Sequence, residues 1–198
     1  MKDLYIISYE PDGEGAPYFF ELSWVPDLPT FHYPNENPET SALSPHYQAK
    51  ADVSELSADW LPDHFLASKK FLAVCDLYEC EYVSRAVALT IEEGREPSTE
   101  YYFFAVTERI RAMDLEKSSF VIDSNTKIEN ADMQNPNYEC IDKLVISKNV
   151  DADLFYFEEI HEVVCSGRFW TECVNRKIHG LTFKKIDDDY RYAPWEDF

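Results

Sequence analysis

Positive charge is what this chain lacks most. Its 198 residues carry 18 Lys and Arg against 38 Asp and Glu, a formal charge of −20. Between Asp3 and Gln48 there is no Lys or Arg, while Asp3, Glu10, Asp12, Glu14, Glu21, Asp27, Glu36 and Glu39 all fall there. Such a chain repels phosphate backbones and anionic lipid surfaces, which argues against nucleic-acid and membrane partners. Glycine is also scarce, at five residues, and none forms a GxGxxG or P-loop, so those routes to nucleotide chemistry are unsupported. No apolar run approaches the roughly 18 residues of a transmembrane helix. The opening stretch from Met1 to Tyr9 lacks the long apolar segment of a signal peptide. The cysteine count is odd (Cys75, Cys80, Cys140, Cys165 and Cys173), and no pair has CxxC spacing. That reads as reduced, buried thiols in the cytoplasm rather than a disulfide framework.

What is present is the material of a core: 45% hydrophobic and 15% aromatic residues rule out wholesale disorder. The length fits a single domain over 1–198. Within it, 1–60 reads as an N-terminal hairpin plus a Pro-rich loop, 61–183 as the core, and 184–198 as an acidic aromatic tail. The fold class expected is α+β: a mostly antiparallel sheet with two or more helices packed on it.

Leu4–Tyr9 and Tyr18–Trp24 are aromatic and β-branched and read as paired strands around the turn-forming segment Glu10–Pro17. Val25–Pro45 holds five prolines, so neither helix nor central strand fits there. Phe71–Cys75 reads as a short strand. Asp76 then caps a helix from Leu77 to about Glu92, with Leu77, Cys80, Val83, Val87 and Ile91 at helical spacing. Strands follow at Tyr101–Val106, Phe120–Ile122 and Cys140–Ser147. In the last third come strands at Phe155–Phe157 and Val163–Cys165, an N-cap at Ser166, a helix from Gly167 to about Ile178, a stop at Gly180 and a strand at Leu181–Lys185. That strand, helix, strand order matches the order read for Phe71–Val106 and suggests an internal duplication.

Chemistry is thinly marked. The histidines His32, His46, His64, His161 and His179 form no HExxH. His161 and Cys165, with Cys173 and His179 nearby in sequence, lack the convergence a zinc site needs. Nothing lowers a thiol pKa in these acidic surroundings, so a cysteine nucleophile is disfavoured. Asp187-Asp-Asp189 lacks the spaced oxygens and turn glycine of a calcium loop. No metal and no cofactor is expected. Tyr190, Tyr192 and Trp195 interleave with Asp187, Asp188, Asp189, Glu196 and Asp197, and read either as interface anchors or as a terminal staple folded back on the core.

Several segments resemble one bacterial family: Ile141-Asp-Lys-Leu-Val-Ile-Ser147, Leu154-Phe-Tyr-Phe157, Val163-Val-Cys-Ser166 and His179-Gly-Leu-Thr-Phe183. Tyr101-Tyr-Phe-Phe104, Ala112–Ser118 and Leu61–Phe65 add to the likeness. Together, from Leu61 to Phe183, they resemble the immunity-protein-eleven family of polymorphic toxin systems. The resemblance implies a cytoplasmic protein without catalysis that binds a cognate toxin domain and blocks it by occlusion. Acidity fits a basic partner surface independently. The expected toxin-binding residues, taken from charge and aromatics, are Asp187, Asp188, Asp189, Tyr190, Tyr192 and Trp195, with Glu10, Asp12 and Glu14 of the first loop. An adaptor without a toxin and a carboxylate-dependent hydrolase are the rival readings.

Overall fold

Stretches such as Tyr101–Val106 and Leu154–Phe157 are apolar without alternation, and strands of that kind need cover on both faces. The computed structural model, which describes residues 3–31, 36–123, 136–147 and 149–195, supplies that cover. In chain order its strands and helices are β1 (Leu4–Tyr9), β2 (Leu22–Val25), β3 (His46–Ala51), β4 (Trp60–Leu61), β5 (Leu66–Ser68), α1 (Lys69–Leu77), β6 (Tyr82–Thr90), β7 (Tyr101–Val106), β8 (Arg109–Ile110), β9 (Ser119–Ile122), β10 (Tyr138–Lys143), β11 (Leu154–Phe157), β12 (Glu162–Ser166), α2 (Gly167–Asn175) and β13 (Leu181–Ile186). One sheet runs β2-β3-β6-β7-β5-β4, a second β13-β1-β12-β11-β8, and β10-β9 form a small third. Pairing is antiparallel except at β3/β6 and β8/β11. The fold is α+β, as expected.

The central core lies where both helices meet both large sheets. Phe71, Val74 and Cys75 of α1 and Phe169 and Cys173 of α2 pack there with Ile7, Trp60, Phe104, Leu154 and Cys165. Alternate residues of the same strands face outward into further apolar layers. Leu4, Phe155 and Phe157 meet Tyr138, Ile141 and Tyr190. Phe103 and Ala105 meet Leu43, Trp24 and Phe31. Each buried Phe or Leu stabilises by about 1.5–3 kcal/mol.

The two halves repeat a detailed pattern. Asp59 stands just before β4 and Asp153 just before β11, only 3% and 5% exposed. The Ser68 hydroxyl donates to Asp59 and the Ser166 hydroxyl to Asp153, each at 2.5 Å. The same oxygens accept from the backbone N–H of Phe71 and Phe169, three residues on, and so cap α1 and α2. Lys70 and Arg168, each two residues past its serine, pair with the same aspartates. Both helices end alike, with Glu79 and Lys177 left-handed at φ 52° and 54°.

The strands around these caps correspond as well. β4-β5-β7-β6 in one half matches β11-β12-β1-β13 in the other, with the same relative directions. β1 therefore occupies in the second unit the place β7 holds in the first. Registers agree: Ser68 pairs Tyr101, and Ser166 pairs Leu4. Duplication is thus present, but its second unit borrows its central strand from the other end of the chain.

Several expectations are corrected. Phe71–Cys75 is helix, not strand, because the Ser68 cap starts α1 there. The helix expected from Leu77 to Glu92 is absent; Tyr82–Thr90 is β6, whose Val83 and Leu89 are buried at odd positions between more exposed neighbours. β1 does not form a hairpin with the next strand. It lies between β12 and β13, and β2 pairs β3 instead. The strand expected at Cys140–Ser147 runs Tyr138–Lys143, with Ile146 bridging Met113 separately. α2 stops at Asn175, before Gly180. Gly180, at φ +77°, instead lets the chain pass Ala58, whose Cβ would lie 2.8 Å from a Cβ there.

Because each serine both caps a helix and satisfies a buried carboxylate, S68A and S166A should each cost about 1–2 kcal/mol of unfolding free energy in urea. A loss below about 0.5 kcal/mol in both would contradict this account of the caps.

Candidate interaction site

The expected binding residues divide between two ends of one strand pair. β1 and β13 run antiparallel, with Leu4 opposite Ile186 and Tyr9 opposite Leu181. Asp187, Asp188 and Asp189 follow one end, and Glu10, Asp12 and Glu14 follow the other. Five steps of about 3.4 Å put the two acidic groups roughly 17 Å or more apart along the strands. The fold does not bring them together.

At the first end, Asp187, Asp188 and Asp189 are exposed. They form a turn in which the Asp187 carboxylate accepts from the Asp189 N–H at 3.2 Å. The aromatic residues after it act as a staple. Tyr190 is 7% exposed and packs with Leu4 and Val164. Tyr192 exchanges backbone hydrogen bonds with Ile141 at 2.7 and 3.1 Å. Trp195 alone of the three stands out, 70% exposed. Tyr190 is thus a core residue here rather than an exposed anchor: its ring is buried in this apolar layer, with the Lys184 ammonium over its face. Glu196, Asp197 and His32 lie outside the described residues.

At the second end the chain from Glu10 to Glu21 is pinned from several sides. Glu10 N–H donates to Gly180 O, and Ser57 and Ala58 N–H both donate to Gly15 O, at 2.9, 2.7 and 2.9 Å. Gly15, at φ +99°, comes so close to Ser57 that a Cβ would sit 2.2 Å from its hydroxyl oxygen. The Tyr9 hydroxyl donates to Pro17 O at 2.8 Å, and the Phe20 ring stacks on His64 at 3.9 Å. Asp12 is engaged rather than free: it accepts from the N–H of Glu14 and Ala16 and contacts His179 Nε2 at 2.7 Å. His179 Nδ1 in turn meets the Ser57 hydroxyl at 3.2 Å.

What this frame presents is two aromatic rings among acids. Phe19 is 94% exposed and Tyr18 63%, next to exposed Glu14 and Glu21. A wholly exposed Phe on a fixed loop is a candidate interface anchor, because ordering it on binding costs little. Reading Tyr18–Trp24 as a strand concealed this. The signal available was Gly-Ala-Pro directly before the aromatic pair.

A concave polar cluster lies elsewhere, a cavity of about 210 Å³ lined by Arg109, Arg111, Glu158, Glu159 and His161 among others. Its groups satisfy one another. Glu158 takes both Arg109 and Arg111 at 3.1 Å. Glu159 accepts from the N–H of Ala112 and Met113, while burial pushes its pKa up. His161 Nδ1 meets the Tyr156 hydroxyl at 3.1 Å, and burial followed by Arg109 lowers its pKa. Cys75, Cys165 and Cys173 are buried in the central core, where desolvation first of all pushes their thiols up. Among the described residues no three His, Cys, Asp or Glu side chains are grouped so as to hold a metal ion. No described helix is long and apolar enough to cross a membrane.

Residues 14–188 match the Immunity protein family (Imm11). The chain belongs to the Imm11 immunity protein family. Membership implies a role in immunity against a toxin, in agreement with the resemblance read from Leu61 to Phe183. The match also takes in Glu14, Tyr18, Phe19 and Asp187. No curated protein matches the chain.

In this Imm11 protein the Asp12–His179 contact ties the acidic loop to the turn before β13. The His179 hydrogen bond, followed by the Glu14 N–H, holds the Asp12 pKa below the usual carboxylate range. A depressed carboxylate stabilises the fold above its unfolded pKa, and that contribution fades as pH falls through the folded value. H179A should therefore raise the Asp12 titration midpoint toward an ordinary aspartate, read by NMR of the side-chain carboxyl. An unchanged midpoint would show that His179 does not hold it.

Proposed function

We propose that this protein neutralises a cognate toxin domain by binding and occluding it in the cytoplasm, without chemistry of its own. The observation that carries the reading is the Imm11 match over residues 14–188, joined to an excess of acid that selects a basic partner. Toxin domains that act on nucleic acid must attract phosphate, so their clefts are basic. An acidic protein can fill such a cleft as a competitor of the phosphate backbone.

Of the two acidic ends, the Glu10–Glu21 loop is the better docking face. A standard interface covers about 800 Å² per partner and centres on buried aromatic anchors. Phe19 and Tyr18 provide such anchors on a pinned backbone, with Glu10 and Glu14 as an acidic rim. Asp187, Asp188, Asp189 and Trp195 lie at the far end and act through the long-range field that steers encounter. Tyr190 and Tyr192 hold that end in shape.

The test begins with co-purification of the tagged protein from its native host, followed by co-expression of the recovered toxin domain with and without it. A stoichiometric complex and rescue of growth are expected. F19A should then weaken the complex at least about tenfold, mostly through faster dissociation. D187K/D188K/D189K should instead slow association and flatten its salt dependence. Growth arrest despite full expression of this protein would overturn the immunity reading; F19A with unaltered affinity would overturn the placement of the interface.

A further inference from the structure

The sheet that takes in both ends of the chain is open along one side. β13 is its outermost strand, six residues long, and among the described residues no strand pairs with its outer edge. The phase of the ladder fixes which groups stand open there. Asp3 O accepts from Gly167 N–H on the β12 side, and Glu10 N–H donates to Gly180 O on the β13 side. Backbone bonding alternates in direction along a strand, so even-numbered residues of β1 bond to β13 and odd-numbered ones to β12. Leu4 lies opposite Ile186, Ile6 opposite Lys184 and Ser8 opposite Thr182, so those three residues of β13 bond inward. Leu181, Phe183 and Lys185 therefore turn their backbone N–H and C=O groups outward, and among the described residues nothing there bonds to them.

The other open edges are shorter or broken. β4 and β8 have two residues each, and β2 has four and runs into Pro26. β9 and β10 form a ribbon interrupted by register shifts. The duplication shows what the β13 side can carry. β6 is the counterpart of β13 in the first unit, and its outer side is paired with β3, in parallel, from Ala86 to Thr90. Among the described residues the second unit has no such strand. An open edge is commonly defended by lysines that stand across the approach. β13 has two, and both are drawn back over the sheet. Lys185 Nζ pairs with Asp3, just before β1, at 3.0 Å, and Lys184 Nζ lies over the ring of Tyr190, which packs with Leu4, at 5.5 Å.

We infer that the β13 edge receives an extended basic segment of the partner, which joins the sheet as a further strand through backbone hydrogen bonds. Charge selects this occupant. Exposed Glu10, Asp12 and Glu14 stand beyond one end of the edge and exposed Asp187, Asp188 and Asp189 beyond the other, so a strand carrying cations meets acid at both. A second copy of the chain would instead bring a further formal charge of −20 against the first. The edge also begins where the acidic loop is pinned, at the Glu10–Gly180 hydrogen bond and the His179–Asp12 contact. A segment seated on it thus continues the surface already assigned to the loop. The inference rests on the toxin-binding reading for the owner of that segment, but the edge can be probed without a toxin.

The probe is an acetylated, amidated Lys-Thr-Val-Thr-Val-Lys peptide titrated into the full chain and followed by NMR. It should shift the amides of Leu181, Phe183 and Lys185 saturably and slow their hydrogen exchange. The same peptide ending in Glu instead of Lys should do neither, and nor should the Lys peptide with every central amide N-methylated. K185P removes one outward N–H and leaves the β1 ladder intact, whereas K185A removes the ammonium and keeps the N–H. K185P should lose at least about fivefold in affinity and K185A should not, with both unfolding near the parent's temperature. No saturable response at these amides, an equal response to the Glu-ended or N-methylated peptide, or parental affinity in K185P would overturn the assignment. A mass that doubles with concentration while the same amides become protected without peptide would give the edge to a second copy and overturn it as well. Because this readout uses no toxin, its failure leaves the immunity reading standing. A responding edge in a protein that gives no protection would overturn the immunity reading alone.

Discussion

Two buried carboxylates organise this molecule. Asp59 and Asp153 sit at the start of matching strands, and each would be prohibitively costly if left unpaired. Each is satisfied by the same partners, a serine that begins a helix and a cation two residues later. The consequences spread outward. The serine fixes where the helix starts, and the third residue of each helix, Phe71 or Phe169, is driven into the shared core. Asp59 and its lysine also join the halves to each other: Asp59 accepts from the His179 N–H at 2.8 Å, and Lys70 donates to Lys177 O at 2.7 Å. His179 then reaches Asp12 and anchors the acidic loop. A continuous set of polar contacts therefore runs from the buried centre to the Asp12 turn of the loop that carries Phe19.

The borrowed strand has a further effect. β1 completes the second unit although it begins the chain, so both ends of the sequence are drawn into one sheet. The loop after β1 must then leave from the seam between the halves. Acidity at this seam meets little internal opposition, since the first 48 residues provide only Lys2 as a cation. An excess of one charge destabilises a compact state through self-repulsion, and an incoming basic partner relieves it.

Much of the second unit was legible in the sequence, because its signals are local. Ser166 before Gly-Arg-Phe reads as a cap, and Leu181–Lys185 reads as a strand. The first unit carries the same Ser-x-x-Phe signal at Ser68, yet the dense apolar run Phe71–Cys75 suits a buried helix as well as a strand. In Leu77–Ile91, helical spacing of apolar residues coincides with alternation at Val83, Arg85, Val87 and Leu89, and sheet pairing decided between them. The N-terminal hairpin failed for a different reason: β1 finds its partners more than 150 residues away. No local pattern encodes that choice. Of the acidic residues singled out, their charge was readable but their division between two ends was not, and Tyr190 was indistinguishable from an exposed anchor until its layer was known.

The central claim is that one face, the Glu10–Glu21 loop, meets a toxin. Hydrogen–deuterium exchange of this protein, alone and with the toxin domain it co-purifies with, measures that most directly. The account predicts slowed exchange in the backbone of 10–21 and 62–65, with α1, α2 and the turn at Asp187–Asp189 unchanged. Protection confined to the Asp187–Trp195 end, with the Phe19 loop exchanging as fast in the complex as in the free protein, would contradict it.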